Sequence, residues 1–195
     1  MNKLKVDNMA DQMDIDLFKS MLNKIENKVD YADIRVIDSQ NTSITMKDGK
    51  IQEIRSGSDF GSAIRILKDG AWGSAFTTDL TKMDEMIETA LKLSSILKSD
   101  VELAKVQPQV DNIKLKAKIR PADVPIEEKK GIMTEANHAA TIPKIVSTTV
   151  SYVDAEGSNI FLSTEGASIT TEESRVGLFL NAVASSENII QFGHT

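Results

Sequence analysis

The tightest constraint on this chain is a pair of near-identical turns, Lys47-Asp48-Gly49 and Lys68-Asp69-Gly70, each set between β-prone runs. Asp-Gly in such a setting is a strong hairpin signal, because tight hairpin turns need positive φ and glycine accepts it without a Cβ clash. The first turn joins residues 43–46 to 51–55, and the second joins 62–67 to 71–77. With Gly57, Gly61 and Gly73 between or beside them, the two hairpins predict an antiparallel meander. Thr77-Thr78-Asp79-Leu80 then offers N-cap side chains where a helical apolar period begins, and that period continues through Met83, Ile87, Ala90 and Leu91 to about residue 97.

Upstream, Leu17, Phe18, Met21, Leu22, Ile25 and Val29 recur at spacings of three and four, which predicts an amphipathic helix from Asp14 or Asp16 to about Val29. Its charged residues form a solvated face, and its apolar face reads as packing on the sheet, with a partner-binding element as the alternative. Ala32, Ile34 and Val36 alternate with Asp33, Arg35 and Ile37, and Thr42, Ile44 and Met46 follow with the same period of two. These are strands with one buried face. Together the runs predict a sheet of about four to six strands, with the helices before and after it covering one face.

Residues 99–124 break the pattern. Pro108, Pro121 and a run of alternating lysines read as an extended connection, partly strand-like at 113–119. Pro125 suits a first helical position, and Glu127 and Glu128 suit the positive end of the helix dipole. That helix runs through Ile126, Met133, Ala136 and Ala140. The final third predicts strands at 145–153, 159–162, 168–171, 176–183 and 188–192, with turns at 154–157 and 164–166. The expected organisation is a flexible segment at 1–13, an α-β-α domain at 14–98, a linker at 99–124, and a helix plus β-meander at 125–195. The fold class is α+β, a mostly antiparallel sheet with amphipathic helices on one side. Asp48-Gly49 before Ile51 and Glu165-Gly166 before Ile169 sit in similar settings, which reads either as an internal α-β repeat or as one local solution reached twice.

Composition narrows the function classes. With 41% hydrophobic but only 5% aromatic residues, the core must be built from aliphatic side chains and methionine. A formal charge of −6 and a pI near 5.0 leave no general basic stripe for nucleic acid, whose binding rests on displaced counterions. The absence of cysteine removes disulfides and thiol nucleophiles, and it suits a cytoplasmic protein. The first thirteen residues hold no apolar run of signal-peptide length. The most apolar window, 176–184, is far shorter than the roughly 20 residues that cross a bilayer, so no membrane association is expected.

Individual residues offer little catalytic chemistry. Arg65 lies among apolar neighbours, with Asp69 and Asp79 close in sequence, and reads as a partly buried guanidinium held by a carboxylate or by loop carbonyls. Contact with a peptide carboxylate or a partner subunit is the alternative. Trp72, the single tryptophan, caps the core or serves as an interface anchor. His138 lies three residues after Glu135 on the helix without a second such pair, so it reads as a helix-surface histidine. His194 is equally uninformative. Asp154, Glu156, Glu165, Glu172 and Glu173 fall on predicted turns and strand edges, where solvation and edge protection account for charge better than acid-base catalysis does.

The run from Gly61 to Leu80 carries Gly61-x-x-x-Arg65, Asp69-Gly70-x-x-Gly73 and Thr77-x-Asp79-Leu80 in order. In that order and spacing it resembles the amino-terminal signature of the TldD/PmbA family, zinc metallopeptidases and their metal-free partner subunits that also carry the label modulator of DNA gyrase. The resemblance implies that Gly61, Arg65, Asp69, Gly70, Gly73, Thr77, Asp79 and Leu80 are structural or interface positions. Family members of the TldD type carry a His-Glu-x-x-x-His motif in the carboxy-terminal half. Here only His138 and His194 occur, neither followed by glutamate, and a zinc site needs three or four convergent ligands. No catalytic or metal residue is therefore expected in this chain, and any zinc would lie further on. The chain stops at Phe192-Gly-His-Thr195, just after a β-prone run, and is expected to be the amino-terminal part of a longer protein, inactive by itself.

The implied whole is a cytoplasmic peptidase subunit acting on extended or unfolded peptides, with this part framing the substrate channel and the subunit interface of a homo- or heterodimer. A metal-free PmbA-like partner subunit, or an interaction module without catalysis of its own, is the alternative. Neither nucleic acid nor membrane is an expected partner.

Overall fold

The structure, a computed structural model, describes residues 15–96, 99–114, 117–187 and 189–195. The predicted flexible segment 1–13 lies outside the described residues, as do Leu97, Lys116 and Asn188 of the predicted second helix, lysine run and last strand.

Helix α1 spans Ile15–Asn23, and a 3₁₀ turn at Glu26–Lys28 leads to β1, Tyr31–Lys47. Strand β2 is Lys50–Lys68 and β3 is Ala71–Thr77. A 3₁₀ turn at Leu80–Lys82 opens α2, Met83–Ser94. The short β4, Val110–Ile113, precedes a 3₁₀ turn at Pro121–Asp123 and α3, Ile126–Ala140. Strands β5 (Ile145–Ser163), β6 (Ser168–Ser186) and β7 (Ile189–His194) complete the described chain. The strands form one seven-stranded sheet in the order β3-β2-β1-β5-β6-β4, with β7 also on β6. Strands β2/β3 and β6/β7 pair antiparallel, and β4 runs parallel to β6. The architecture is α+β with a mostly antiparallel sheet.

Both Asp-Gly turns are present. Asp48 and Asp69 each have φ of 50°, followed by Gly49 at 75° and Gly70 at 73°, the two positive values that a type I′ hairpin turn requires. The strands around them are longer than the sequence predicts. Residues 31–47 form one strand where two were expected, and 50–68 continue through Gly57 and Gly61 without a turn. The turn expected at 154–157 is also absent, because those residues lie inside β5.

By packing the described residues fall into two compact units, one drawn from 15–38, 59–114 and 157–172 and the other from 39–58, 117–156 and 173–195. In the first unit, Phe18, Met21 and Leu22 of α1 and Met83, Ile87 and Ala90 of α2 share one core with Ala32, Ile34, Val36, Ile64, Ile66, Ile160 and Leu162. The period of two places these strand residues on one face, and the helical periods of three and four deliver both helices to it. Burying each Phe, Ile or Leu contributes about 1.5–3 kcal/mol. In the second unit Ile44, Met46, Val150 and Tyr152 pack against Met133 of α3. Among the described residues no helix is long and apolar enough to cross a membrane.

Candidate functional site

The positions singled out by the sequence signature lie along β2, β3 and the entry to α2. At Gly73 a Cβ would lie 2.0 Å from the Ala90 carbonyl oxygen and 2.5 Å from the Ser94 nitrogen, so glycine is what lets α2 approach β3. Gly70 combines positive φ with a Cβ position 1.9 Å from the Ser99 carbonyl oxygen. At Gly61 a Cβ would lie an ordinary 3.6 Å from the Thr77 carbonyl oxygen. The Asp79 carboxylate accepts from the Thr81 N–H at 3.0 Å and from its hydroxyl at 2.6 Å, capping the 3₁₀ turn. Those bonds hold the Asp79 carboxyl below its ordinary pKa. Thr77 Oγ1 accepts from the Asp79 N–H at 3.0 Å, and Leu80 packs on the core.

Arg65 is the signature residue with side-chain chemistry. Its Nε donates to Asp33 Oδ1 and Oδ2 at 3.1 and 3.0 Å, and Nη2 donates to Oδ2 at 2.6 Å. Asp33 is fully buried and also meets Arg35 at 3.5 Å. The Arg65 guanidinium lies 5.2 Å from the ring centre of Trp72, which meets Tyr31 edge-on at 6.0 Å. The hydrogen bonds that Arg65 donates to Asp33 raise its pKa above the ordinary arginine value. Burial, reinforced by Asp33, pushes the Tyr31 hydroxyl up to about 12. Asp33, not Asp69 or Asp79, is thus the carboxylate that satisfies Arg65. It lies 32 residues away, and no local pattern announces such a pairing.

The second unit contains a cleft of about 530 Å³. Strand β1 lends Gln40, Asn41 and Thr42, β2 lends Ser56, Gly57 and Ser58, the approach to α3 lends Ala122 and Val124, and Ile126, Lys129, Asp154 and Glu156 complete the lining. Lys129 and Asp154 are both buried, and Nζ lies 2.5 Å from Oδ2 in an ion pair. The ammonium also lies 5.6 Å from the ring centre of Tyr152. Burial, then a hydrogen bond to Asp154, raises the pKa of the Tyr152 hydroxyl. Arg120 Nη2 donates to Glu156 Oε1 at 2.5 Å. The sequence reading assigned Asp154 and Glu156 to a solvated turn, but each has a cationic partner 25 or 36 residues upstream. Lys129 carried one missed signal: it occupies the Ile126, Met133, Ala136 stripe, where a lysine is out of place.

Among the described residues, no group of three or more His, Cys, Asp or Glu side chains is arranged to hold a metal ion. His138 and Glu135 are exposed on α3, and His194 is exposed on β7. The described residues therefore do not fit a zinc centre.

Comparison with known proteins puts this fold in the class of α+β metallopeptidase domains. Residues 32–94 match the family model described as PmbA/TldA metallopeptidase domain 1, and 119–194 match the PmbA/TldA metallopeptidase central domain. The chain is 47% identical over 183 residues to a metalloprotease of Methanothermobacter thermautotrophicus, covering 94% of this chain and 40% of that protein. A Methanocaldococcus jannaschii metalloprotease is 37% identical over 181 residues, covering 88% of this chain and 40% of its own length. The chain belongs to the PmbA/TldD metallopeptidase family, and it spans about two-fifths of the length of these curated relatives. The same fold occurs in a Thermotoga maritima protein described as a modulator of a DNA gyrase, with TM-score 0.73, 22% identity and coverage of 92% of this chain and 42% of that one. It also occurs in TldE from Thermococcus kodakarensis, with TM-score 0.69, 17% identity and coverage of 91% and 42%.

Proposed function

We propose that this chain is the non-catalytic framework of a zinc metallopeptidase subunit that acts on extended or unfolded peptides in the cytoplasm. The observation that carries this reading is the succession of two metallopeptidase domain matches along the chain, joined to 47% identity with a curated metalloprotease. A division of labour fits the arrangement of donors, since among the described residues no three His, Cys, Asp or Glu side chains converge as a zinc site needs. Water activation, which zinc supplies when bound, then belongs to the remaining length of the relatives.

Two features suit a framework that meets peptide and partner. Strand β3 ends the strand order and offers an edge to which an extended chain can pair through backbone hydrogen bonds, reading little sequence. Strands β6 and β7 carry Val176, Phe179, Ile189, Ile190 and Phe192 exposed, the kind of apolar surface that a further domain or a second family subunit covers. The test is cleavage of an unfolded peptide by the full-length gene product, alone and mixed with its partner subunit, with a chelator control. Chelator-sensitive cleavage supports the reading. A full-length protein inactive alone but required by an active partner moves it to the metal-free partner subunit, and inactivity in every combination removes it.

A further inference from the structure

The lining of the cleft carries one cation and two anions, all three held in ion pairs. Of its charged members, Lys129 is matched by Asp154, and Glu156 is matched by Arg120, which stands outside the lining. Yet the ammonium of Lys129 is not saturated. It has three donors, and its partners are one carboxylate oxygen and the face of Tyr152. A buried ammonium with donors to spare at the wall of a cleft calls for an uncharged acceptor. Elsewhere on the lining the side-chain amide of Gln40 and the hydroxyls of Ser56 and Ser58 offer donors and acceptors together. Ala122, Val124 and Ile126 add an apolar portion.

From this arrangement we infer that the cleft is a subsite for a short, uncharged stretch of peptide backbone. A backbone carbonyl takes the free donors of Lys129, neighbouring amides meet Gln40, Ser56 and Ser58, and small apolar side chains rest on Val124 and Ile126. The volume of about 530 Å³ lies within the range of about 300–1,000 Å³ usual for small-ligand sites. A sugar, the other common neutral polar ligand, would lack an aromatic ring to stack on, since none lines the cleft among the described residues. The inference deepens the peptide reading above by naming a contact point for substrate or product outside any metal site.

Gly57 gives the test. It lines the cleft, its φ is not positive, and an added Cβ would lie 3.9 Å from Asn41 Oδ1, so a larger side chain fills the space without straining the backbone. Chelator-treated full-length protein is titrated calorimetrically with a tripeptide capped at both ends, Ac-Ala-Ala-Ala-NH₂, and in parallel with a neutral disaccharide. The expected result is saturable tripeptide binding that Gly57→Phe weakens at least tenfold while far-UV circular dichroism and the melting temperature stay unchanged. Should Gly57→Phe not fold, Ser58→Leu replaces it with the same expectation. The inference is overturned if the tripeptide fails to bind, if it binds wild type and folded variant alike, or if only the disaccharide shows the cleft-dependent loss. Because binding is read without turnover, the two readings fail separately. Zinc-dependent cleavage with cleft-independent tripeptide binding removes the subsite alone, whereas cleft-dependent binding without cleavage removes the peptidase assignment alone.

Discussion

Arg65 Nη2 donates to Asp33 Oδ2 at 2.6 Å, and this contact holds a fully buried carboxylate inside a sheet. Removing one partner of a buried pair costs about 3–5 kcal/mol because the other charge is left unpaired. Here the Arg65 side chain is 41% exposed and Arg35 stands 3.5 Å from Asp33, which trims the cost by solvent screening. Arg65→Met is therefore expected to lower stability by about 2 kcal/mol, measured by urea unfolding. The double variant Asp33→Leu/Arg65→Met should recover most of that loss. A single variant as stable as wild type would contradict the assignment.

Tyr31 links the same cluster to pH. Its hydroxyl is held up to about 12, against 10.0 ordinarily, first by burial and then by Asp33. The folded state thus binds this proton more tightly than the unfolded state does. The stabilisation is complete below pH 10 and is lost as pH rises through 12, on the order of 2 kcal/mol in all. Tyr152 is raised in the same direction by burial. Tyr31→Phe should flatten part of the alkaline fall in stability and leave the curve at pH 7–9 unchanged in slope, as read from unfolding curves at each pH.

Two glycines should answer alanine in opposite ways. Gly73→Ala places a methyl 2.0 Å from the Ala90 carbonyl oxygen, and overpacking of this kind costs about 1–3 kcal/mol or more. Gly131 lies inside α3 with nothing within 4 Å of a built Cβ. Gly131→Ala should stabilise by about 0.5–1 kcal/mol through helix propensity. Thermal melting of both variants checks the pair, and a neutral Gly73→Ala would contradict the close approach of α2 and β3.

Lys129→Met should be the most damaging single change considered for the second unit, at about 3–5 kcal/mol, since it strands Asp154 among buried neighbours. Lys129→Met/Asp154→Leu should return to within about 1 kcal/mol of wild type. A denaturant series on the three proteins reads the difference, and equal losses in single and double variants would show that packing, not charge pairing, dominates there.

What was legible in the chain was what short segments decide. Asp48-Gly49 and Asp69-Gly70 name their own turns because φ is a property of the residue. The stripes Phe18-Met21-Leu22 and Met83-Ile87-Ala90 name their helices because burial follows the helical period. Strand length was not legible, since Gly57, Gly61 and the segment Asp154 to Gly157 look like breaks in the sequence yet lie inside β2 and β5. Site chemistry was least legible. Asp33 with Arg65, Lys129 with Asp154 and Arg120 with Glu156 are pairings across 32, 25 and 36 residues. Only the lysine in the apolar stripe of α3 hinted at one of them.

The central claim, that this region frames a zinc peptidase without ligating its metal, is tested most directly by zinc content. Full-length gene product and its His138→Ala/His194→Ala variant would be purified side by side and assayed by mass spectrometry, with a chelator-treated control. The account predicts stoichiometric zinc in both proteins and none after chelation. Loss of zinc from the variant would make this region part of the metal centre, and a full-length protein devoid of zinc would contradict the metallopeptidase reading itself.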